Sequence, residues 1–330
     1  MEKLLTIAVP SFNMEKHLPK NLATYADQRL RGALEVIVLD NASQDASAAI
    51  ADDFVVRFPE IFRLLRRESR GYGSSINAAL REARGKYFRI VDADDWVDTE
   101  SLLGLLEELA VCEADVVQTN YCRVVMSTGE KLPFRFSEVA YGRVYHEFSP
   151  CRRNAPCIHS TAYRTALLRE HAIALQDGIF FVDEEFVILP FLYAKSVIYY
   201  DLDIYRYLVG NPTQSTSPQN RAHYASHRDQ IVRRLIEVYL TAPMSADVRA
   251  YCRFRIAQAA ADHLTTLYIY LPDRAQGLRQ GLLWEAYVKG RDADLYQQIC
   301  RKGRLLRLLC RLHVSLPTYE RLKKMLLANA

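Results

Sequence analysis

The stretch Gly85-Lys86-Tyr87-Phe88-Arg89-Ile90-Val91-Asp92-Ala93-Asp94-Asp95-Trp96 opens as a β-strand and closes as an acidic turn. Its apolar half, YFRIV (87–91), is the last of a series, after LLTIAV (4–9), ALEVIVL (33–39) and IFRLL (61–65). The segments between these runs carry Ala-rich helical periodicity, so the order is βαβαβαβ. Parallel strands need crossover connections, and helices are the usual ones, so the pattern predicts an α/β fold with a mostly parallel sheet flanked by helices. In such sheets ligand groups gather outside the carboxyl ends of the strands, which directs attention to the residues after each run.

The first run is followed by Pro10-Ser11-Phe12-Asn13-Met14-Glu15, without a glycine. A dinucleotide site needs glycines there so that backbone can approach a pyrophosphate, which argues against nicotinamide or flavin chemistry. The second is followed by Asp40-Asn41-Ala42-Ser43-Gln44-Asp45, where Asp40 can accept hydrogen bonds from a base or ribose and Ser43 or Asp45 suit helix capping. After the third comes Arg70-Gly71-Tyr72-Gly73-Ser74-Ser75-Ile76-Asn77. Such a turn can offer amides to phosphate with Arg70 as a cation, or it is simple punctuation in which Asn77 satisfies backbone groups.

The fourth run ends in Asp92, Asp94 and Asp95, which repel one another unless a cation or strong donors hold them. A hard divalent ion, Mg²⁺ or Mn²⁺, held by one or two carboxylates and substrate phosphates, answers that need. The competing account is a solvated acidic turn, with Asp98 or Thr99 capping a helix over Glu100–Glu108.

The chain has 330 residues, half of them hydrophobic, which excludes a single small binding module. Lys and Arg total 43 against 39 Asp and Glu, a net +4 too small for a dedicated nucleic-acid binder. The charge is uneven: residues 1–219 hold 24 basic and 30 acidic side chains, residues 220–330 hold 19 and 9. Seven scattered cysteines without a CxxC pair, and an N-terminus without a signal-peptide core, predict a reduced, cytoplasmic setting. The apolar stretch 178–193 is broken by Asp183, Glu184 and Glu185, short of the roughly 20 residues a membrane span needs.

Taken together, Val9–Leu18, Val36–Ser43, Gly71–Asn77 and Gly85–Trp96 resemble, in order and spacing, the motifs of the family 2 glycosyltransferases. The resemblance covers about the first 215 residues and implies the A-type glycosyltransferase fold, a Rossmann-like sheet binding a nucleotide-sugar. It implies that Pro10, Ser11 and Asn13 line the base pocket with Glu15 beside them, and that Asp40 accepts a hydrogen bond from the base, usually uracil. It further implies that Asp92 approaches the ribose and that Asp94 ligates a Mn²⁺ or Mg²⁺ ion bridging the donor phosphates. Arg70, Gly73 and Asn77 join the nucleotide-side set. A later acidic pair supplies the family's base; here it reads Val182-Asp183, so the first carboxylate is missing and Asp183 matches the base, with Glu184 and Glu185 as alternatives. Apolar neighbours are expected to raise the pKa of Asp183. Tyr205-Arg206-Tyr207 and the polar loop 211–216 resemble the segment that follows the base. The chemistry implied is inverting transfer from a UDP-sugar to a hydroxyl of a glycan or lipid-linked acceptor.

His146, Cys151, Cys157, His159 and His171 match no common zinc spacing. His159 and Ser160 either face the acceptor or serve as packing or capping groups. From residue 220 the pattern becomes long amphipathic helices, read as a basic helical extension (220–330) appended to a transferase domain (1–219). Residues 301–330 interleave leucines with basic residues: either the face rests on an anionic membrane, making the protein peripheral on the inner face of the cell membrane, or the leucines pack internally. They also offer a homodimer surface. Two other classes fit parts of the pattern. A phosphatase with an Asp-x-Asp motif normally carries its nucleophile after the first strand, where Pro10-Ser11 stands. A nonenzymatic nucleotide-sugar or glycan binder would tolerate Val182.

Overall fold

The computed structural model describes residues 3–68, 71–210 and 217–328. They fall into two compact units, one within Met1–Asn211 with Met244–Val248, the other within Pro212–Pro243 with Arg249–Ala330. In the first, the elements follow as β1 (Lys3–Ser11), α1 (Leu18–Ala23), β2 (Leu34–Asn41), α2 (Ser47–Arg57), β3 (Phe62–Arg67), α3 (Tyr72–Glu82), β4 (Gly85–Ile90), β5 (Trp96–Val97) and α4 (Thr99–Val111). They continue as β6 (Val116–Val125), β7 (Lys131–Phe134), β8 (Val144–Tyr145), α5 (Ser149–Arg153), β9 (Thr161–Arg164), α6 (Thr165–Glu170), α7 (Asp183–Ile188) and β10 (Val197–Val209).

These strands form one sheet in the order β3-β2-β1-β4-β9-β6-β10-β5, with β7 on β6 and β8 on β10. Pairing is parallel through β3-β2-β1-β4 and again between β6 and β10, and antiparallel where β9, β5, β7 and β8 join. The α/β architecture read from the alternating runs is therefore present, each of the four runs lying on its own strand. Strand β2, LEVIVLDN, is buried along its whole length, as a β-branched strand covered on both faces must be. At the edge, β3 carries three arginines among its six residues, a composition that discourages pairing with a further strand. The buried Glu35 carboxylate accepts from Thr6 Oγ1 (2.7 Å), Arg63 Nη1 (2.9 Å) and the Arg84 amide (2.8 Å), so its charge is answered on every side.

Helix α4 begins where capping chemistry says it should, with Asp98 accepting from the Ser101 amide (3.0 Å). Helix α7 ends at Ile188, and Leu189–Leu192 tighten into a 3₁₀ turn at Pro190, whose ring cannot donate to the helical ladder.

The second unit is helical: α8 (Pro218–His223), α9 (Ala225–Thr241), α10 (Ala246–Thr265, whose first residues belong to the other unit), α11 (Arg274–Arg291), α12 (Ala293–Arg311) and α13 (Leu316–Ala328). Helix α10 runs on into a π turn over Thr266–Tyr270, and Arg274 Nη1 donates to the carbonyls of Tyr268 and Ile269 (both 2.7 Å). Its core includes Ile231, Leu235, Trp284, Val288, Leu295, Ile299 and Leu306. Among the described residues, no helix is long and apolar enough to cross a membrane.

Candidate active site

At the carboxyl end of the sheet, β1 and β2 place Ser11 opposite Asp40. Both side chains are buried, and Ser11 Oγ and Asp40 Oδ1 have no hydrogen-bond partner among the described residues. An unpaired buried polar atom costs about 1–3 kcal/mol, so these two, in register on adjacent strands, concentrate unmet hydrogen-bonding capacity at one strand end. The loops around them are stapled together. Asn13 N donates to Ser43 Oγ (3.0 Å), Met14 N to Ser47 Oγ (2.7 Å) and Glu15 N to Asp45 Oδ2 (3.1 Å). In return, Asn13 Oδ1 accepts from Gln44 N (2.9 Å) and Glu15 Oε2 from Ala46 N (3.1 Å). Asn13 (φ 53°) and Ala42 (φ 58°) turn these loops through the left-handed region, a local cost that the staple offsets. Of the residues assigned to the base pocket, Pro10, Ser11 and Asp40 are buried at the strand ends, whereas Asn13 and Glu15 spend side-chain atoms holding the two loops together.

The acidic turn divides into one structural and two open carboxylates. Asp95, buried, accepts from Tyr205 Oη (2.6 Å) and from the Leu208 amide (2.7 Å), which ties the turn to β10. Tyr205 Oη in turn accepts from the Asp92 amide (3.1 Å), and Asn21 Nδ2 donates to the carbonyls of Asp92 (3.1 Å) and Asp95 (2.9 Å). The turn is thus held from both sides by fully buried residues. Asp92 Oδ1 accepts from Tyr72 Oη (2.6 Å). The half-buried Asp94 carboxylate receives no hydrogen bond from another described residue, only from its own amide.

Their ionisation reflects the crowding. Burial, then the charge of Asp94, push Asp92 up to about 7; burial raises Asp94, and burial with the charges of Asp94 and Asp92 holds Asp95 well above the ordinary carboxylate range. A cation would relieve all three. The metal-sized cluster of ligand atoms among the described residues is Asp92, Asp95 and His159, mutually within 4.8 Å, and does not include Asp94. Both oxygens of Asp95 are already engaged by Tyr205 and Leu208, which leaves Asp92 and Asp94 as the carboxylates with acceptor capacity to spare. His159, pushed down to about 3 by burial and by Arg89, is a neutral imidazole stacked on Tyr207 (centroids 4.0 Å apart).

The segment before α7 is clamped to α3. Asn77 Nδ2 donates to the Leu175 carbonyl (2.8 Å) and Asn77 Oδ1 accepts from the Leu175 amide (2.9 Å). A Cβ on Gly73 would meet the Gln176 carbonyl oxygen at 1.9 Å, so glycine is required for this close approach of backbone. Gln176 donates from N (2.8 Å) and Nε2 (2.7 Å) to the fully buried carboxylate of Glu185. In the structure Asn77, Gly73 and Glu185 thus hold residues 175–185 in place. Asp183 is exposed on the first turn of α7, so the apolar enclosure expected from the neighbouring sequence does not surround it. Its charge is felt by Asp92, Tyr72 and Tyr207, which brings it to the acidic turn. Val182 is buried.

Arg70 and the loop 211–216 lie outside the described residues. Arg206 pairs with Asp98 (3.1 Å) and Asp203 (2.8 Å), bracing β10 against the start of α4. His146 contacts the Lys195 carbonyl, Cys151 the Tyr199 hydroxyl, and His171 stacks on Tyr193, so these residues are dispersed. The sequence singles out Tyr207 only as part of Tyr205-Arg206-Tyr207 and gives it no role of its own. Burial and the carboxylates of Asp95, Asp92, Asp94 and Asp183 push its hydroxyl up to about 12. The alternation of Tyr205 and Tyr207 on one strand face was the available signal.

A mixed sheet, parallel through β3-β2-β1-β4, with Ser11, Asp40 and the acidic turn at its strand ends, defines an α/β protein. Residues 6–173 match glycosyl transferase family 2, and the chain belongs to that family. Among its relatives is the uncharacterized protein Rv1520 of Mycobacterium tuberculosis, 29% identical over 162 residues, covering 48% of this chain and 46% of that one. The poly(ribitol-phosphate) beta-N-acetylglucosaminyltransferase TarS of Staphylococcus aureus is 27% identical over 176 residues, 51% of this chain and 29% of TarS. The chain spans about half the length of the mycobacterial relative and less of TarS. In structure it is similar to S. aureus TarS 1–349 in complex with UDP-GlcNAc, with TM-score 0.63 at 18% identity over 94% of this chain and 92% of that one. A mannosyltransferase from Pyrobaculum calidifontis, in complex with GDP-Man and Mn²⁺, has TM-score 0.57 at 16% identity over 97% and 85% of the chains. At these identities the likeness establishes the fold.

Proposed function

We propose that this protein transfers a sugar, with inversion, from a UDP-sugar to a hydroxyl of a glycan or lipid-linked acceptor. Residues 1–219 carry the transfer and residues 220–330 form a basic helical extension. The observation that carries the reading is the pair of unpartnered buried acceptors, Ser11 Oγ and Asp40 Oδ1, at the strand ends facing the acidic turn. A uracil N–H meets Asp40, and a ribose hydroxyl meets Asp92, whose carboxylate Tyr72 orients.

Asp94 would hold a divalent ion, Mn²⁺ or Mg²⁺; the raised affinity of Asp94 and its neighbour Asp92 for protons fits a site completed by a cation. When bound, that ion supplies charge neutralisation at the donor diphosphate. Asp183 accepts the proton of the acceptor hydroxyl while the new C–O bond forms at the anomeric carbon. The bond from that carbon to the diphosphate oxygen breaks, and its electron pair leaves with the nucleotide diphosphate. Exposure of Asp183 on the first turn of α7 leaves it accessible to an acceptor. The TarS complex with UDP-GlcNAc supports a uridine donor, and the mannosyltransferase complex supports a metal. A second reading, a nonenzymatic nucleotide-sugar binder, draws on Val182 in place of the family's acid.

Thermal stabilisation by nucleotide diphosphates and nucleotide-sugars, with Mn²⁺, Mg²⁺ or chelator, tests the donor site. We expect a metal-dependent shift with uridine ligands that Asp94→Ala abolishes; no shift with any nucleotide would refute the proposal. Turnover of the donor by wild type and its loss in Asp183→Asn, with donor binding retained, separates enzyme from binder.

A further inference from the structure

We infer that the outward face of α12 is a docking surface for an anionic lipid bilayer. The helix buries Leu295, Ile299, Gly303, Leu306 and Cys310 along one side. Leu305 (51% exposed), Leu308 (52%) and Leu312 (65%) lie on the other, at spacings that bring them onto a single face. The exposed Arg301, Arg304 and Arg311 fall on the same side at 100° per residue, and none forms an ion pair among the described residues. On α13, exposed Leu322 and Met325 stand beside exposed Arg321 and Lys323.

Charge selects the occupant. From Leu295 to the last residue there are eight basic side chains and one acidic, Glu320, which accepts a hydrogen bond from the Tyr270 hydroxyl. A second copy of this face would set arginine against arginine, and the one carboxylate on this side of α12, Asp294, is already paired with Arg253 (2.9 Å). A polynucleotide would pair with the arginines and leave the leucines in water. A bilayer with anionic headgroups accommodates both: leucines enter the acyl boundary while the guanidinium groups stay at phosphate level. The inference stands on the helical unit alone and does not depend on the activity proposed above.

The test is co-sedimentation of the full chain with phosphatidylcholine vesicles and with phosphatidylcholine–phosphatidylglycerol vesicles, at low and high salt. We expect partition into the anionic vesicles at least about tenfold above the neutral ones, weakening with salt. Leu305→Ser/Leu308→Ser/Leu312→Ser should reduce it at least about tenfold, and Arg301→Gln/Arg304→Gln/Arg311→Gln should also remove the salt dependence. All substituted positions are exposed; a circular dichroism melt verifies that each variant is folded. Negligible binding of wild type to anionic vesicles, or undiminished binding by the leucine variant, would overturn the inference. So would a concentration-dependent dimer that the leucine substitutions abolish, or a polynucleotide that displaces vesicles and binds the leucine variant unchanged.

Discussion

Replacing Gly73 by alanine sets two effects of opposite sign against each other. Alanine is favoured over glycine inside a helix by up to about 1 kcal/mol, so on propensity alone Gly73→Ala would stabilise α3. The new methyl, however, would sit 1.9 Å from the Gln176 carbonyl oxygen, and ordinary contact begins at 3.4 Å. The backbone at Gln176 must therefore retreat by about 1.5 Å, further than packed backbone yields without breaking its bonds. That retreat parts Leu175 from both atoms of Asn77 and strains the Gln176–Glu185 pair, whose carboxylate is fully buried. Two neutral hydrogen bonds at about 1 kcal/mol each and one to a charged group at about 1.5–3 kcal/mol outweigh the propensity gain, for a net loss of about 2.5–4 kcal/mol. Urea denaturation, read as a shift in midpoint at constant slope, measures it. The same displacement moves the chain leading to Asp183, so turnover should fall by tenfold or more while UDP affinity stays within about threefold. Gly71→Ala is the control, since its Cβ would meet mainly the Asp177 and Ser74 side-chain oxygens, which can rotate away; it should cost less than about 1 kcal/mol. A Gly73→Ala protein as stable as wild type, or more so, would refute the clamp.

Asp40→Asn should weaken UDP binding by tenfold or more, about 1.4 kcal/mol, without lowering the melting temperature of the free protein, because the carboxylate oxygen it alters has no partner to lose. Isothermal titration and a thermal melt report the two quantities separately. Tyr205→Phe removes an acceptor from the Asp92 amide and a donor to Asp95 in a fully buried setting, and should destabilise by about 2–4 kcal/mol in denaturant titration. His263 is buried, with burial pushing it down to about 4 against an ordinary 6.5, despite Asp229 nearby. Between pH 6.5 and 4 the unfolded chain binds a proton that the native imidazole refuses, so this residue's contribution to stability falls with acid by up to about 3 kcal/mol. Urea midpoints of His263→Gln should show a correspondingly shallower decline over that interval than wild type; parallel curves would refute the assignment.

The sheet was legible because its strands are written as short apolar runs separated by helical periodicity, a pattern with few topological solutions. Acceptor positions were legible for the same reason, since residues that follow a strand lie at its carboxyl end wherever the strand is placed. Asp40 and Asp94 stand there as open acceptors. The division of labour among the three acids of the turn was not legible. Asp92, Asp94 and Asp95 are equivalent in one dimension, and only β10, more than a hundred residues later, selects Asp95 as the structural member through Tyr205 and Leu208. Glu185 is a similar case. Beside Asp183 it reads as a rival base, yet the fold buries it entirely and engages it with Gln176.

Local chemistry along the chain by itself determined the α/β class, the strand ends that hold ligand groups, the cap of α4 and the contrast between an acidic front and a basic tail. Those features depend on side-chain periodicity, propensity and charge, which are properties of neighbours in sequence. Tertiary structure alone decided which carboxylates are consumed by hydrogen bonds, which glycine is needed for close approach, and which leucines of α12 face outward. Each of those outcomes depends on what a distant segment brings within bonding or contact distance, and the sequence carries no spacing from which that can be read.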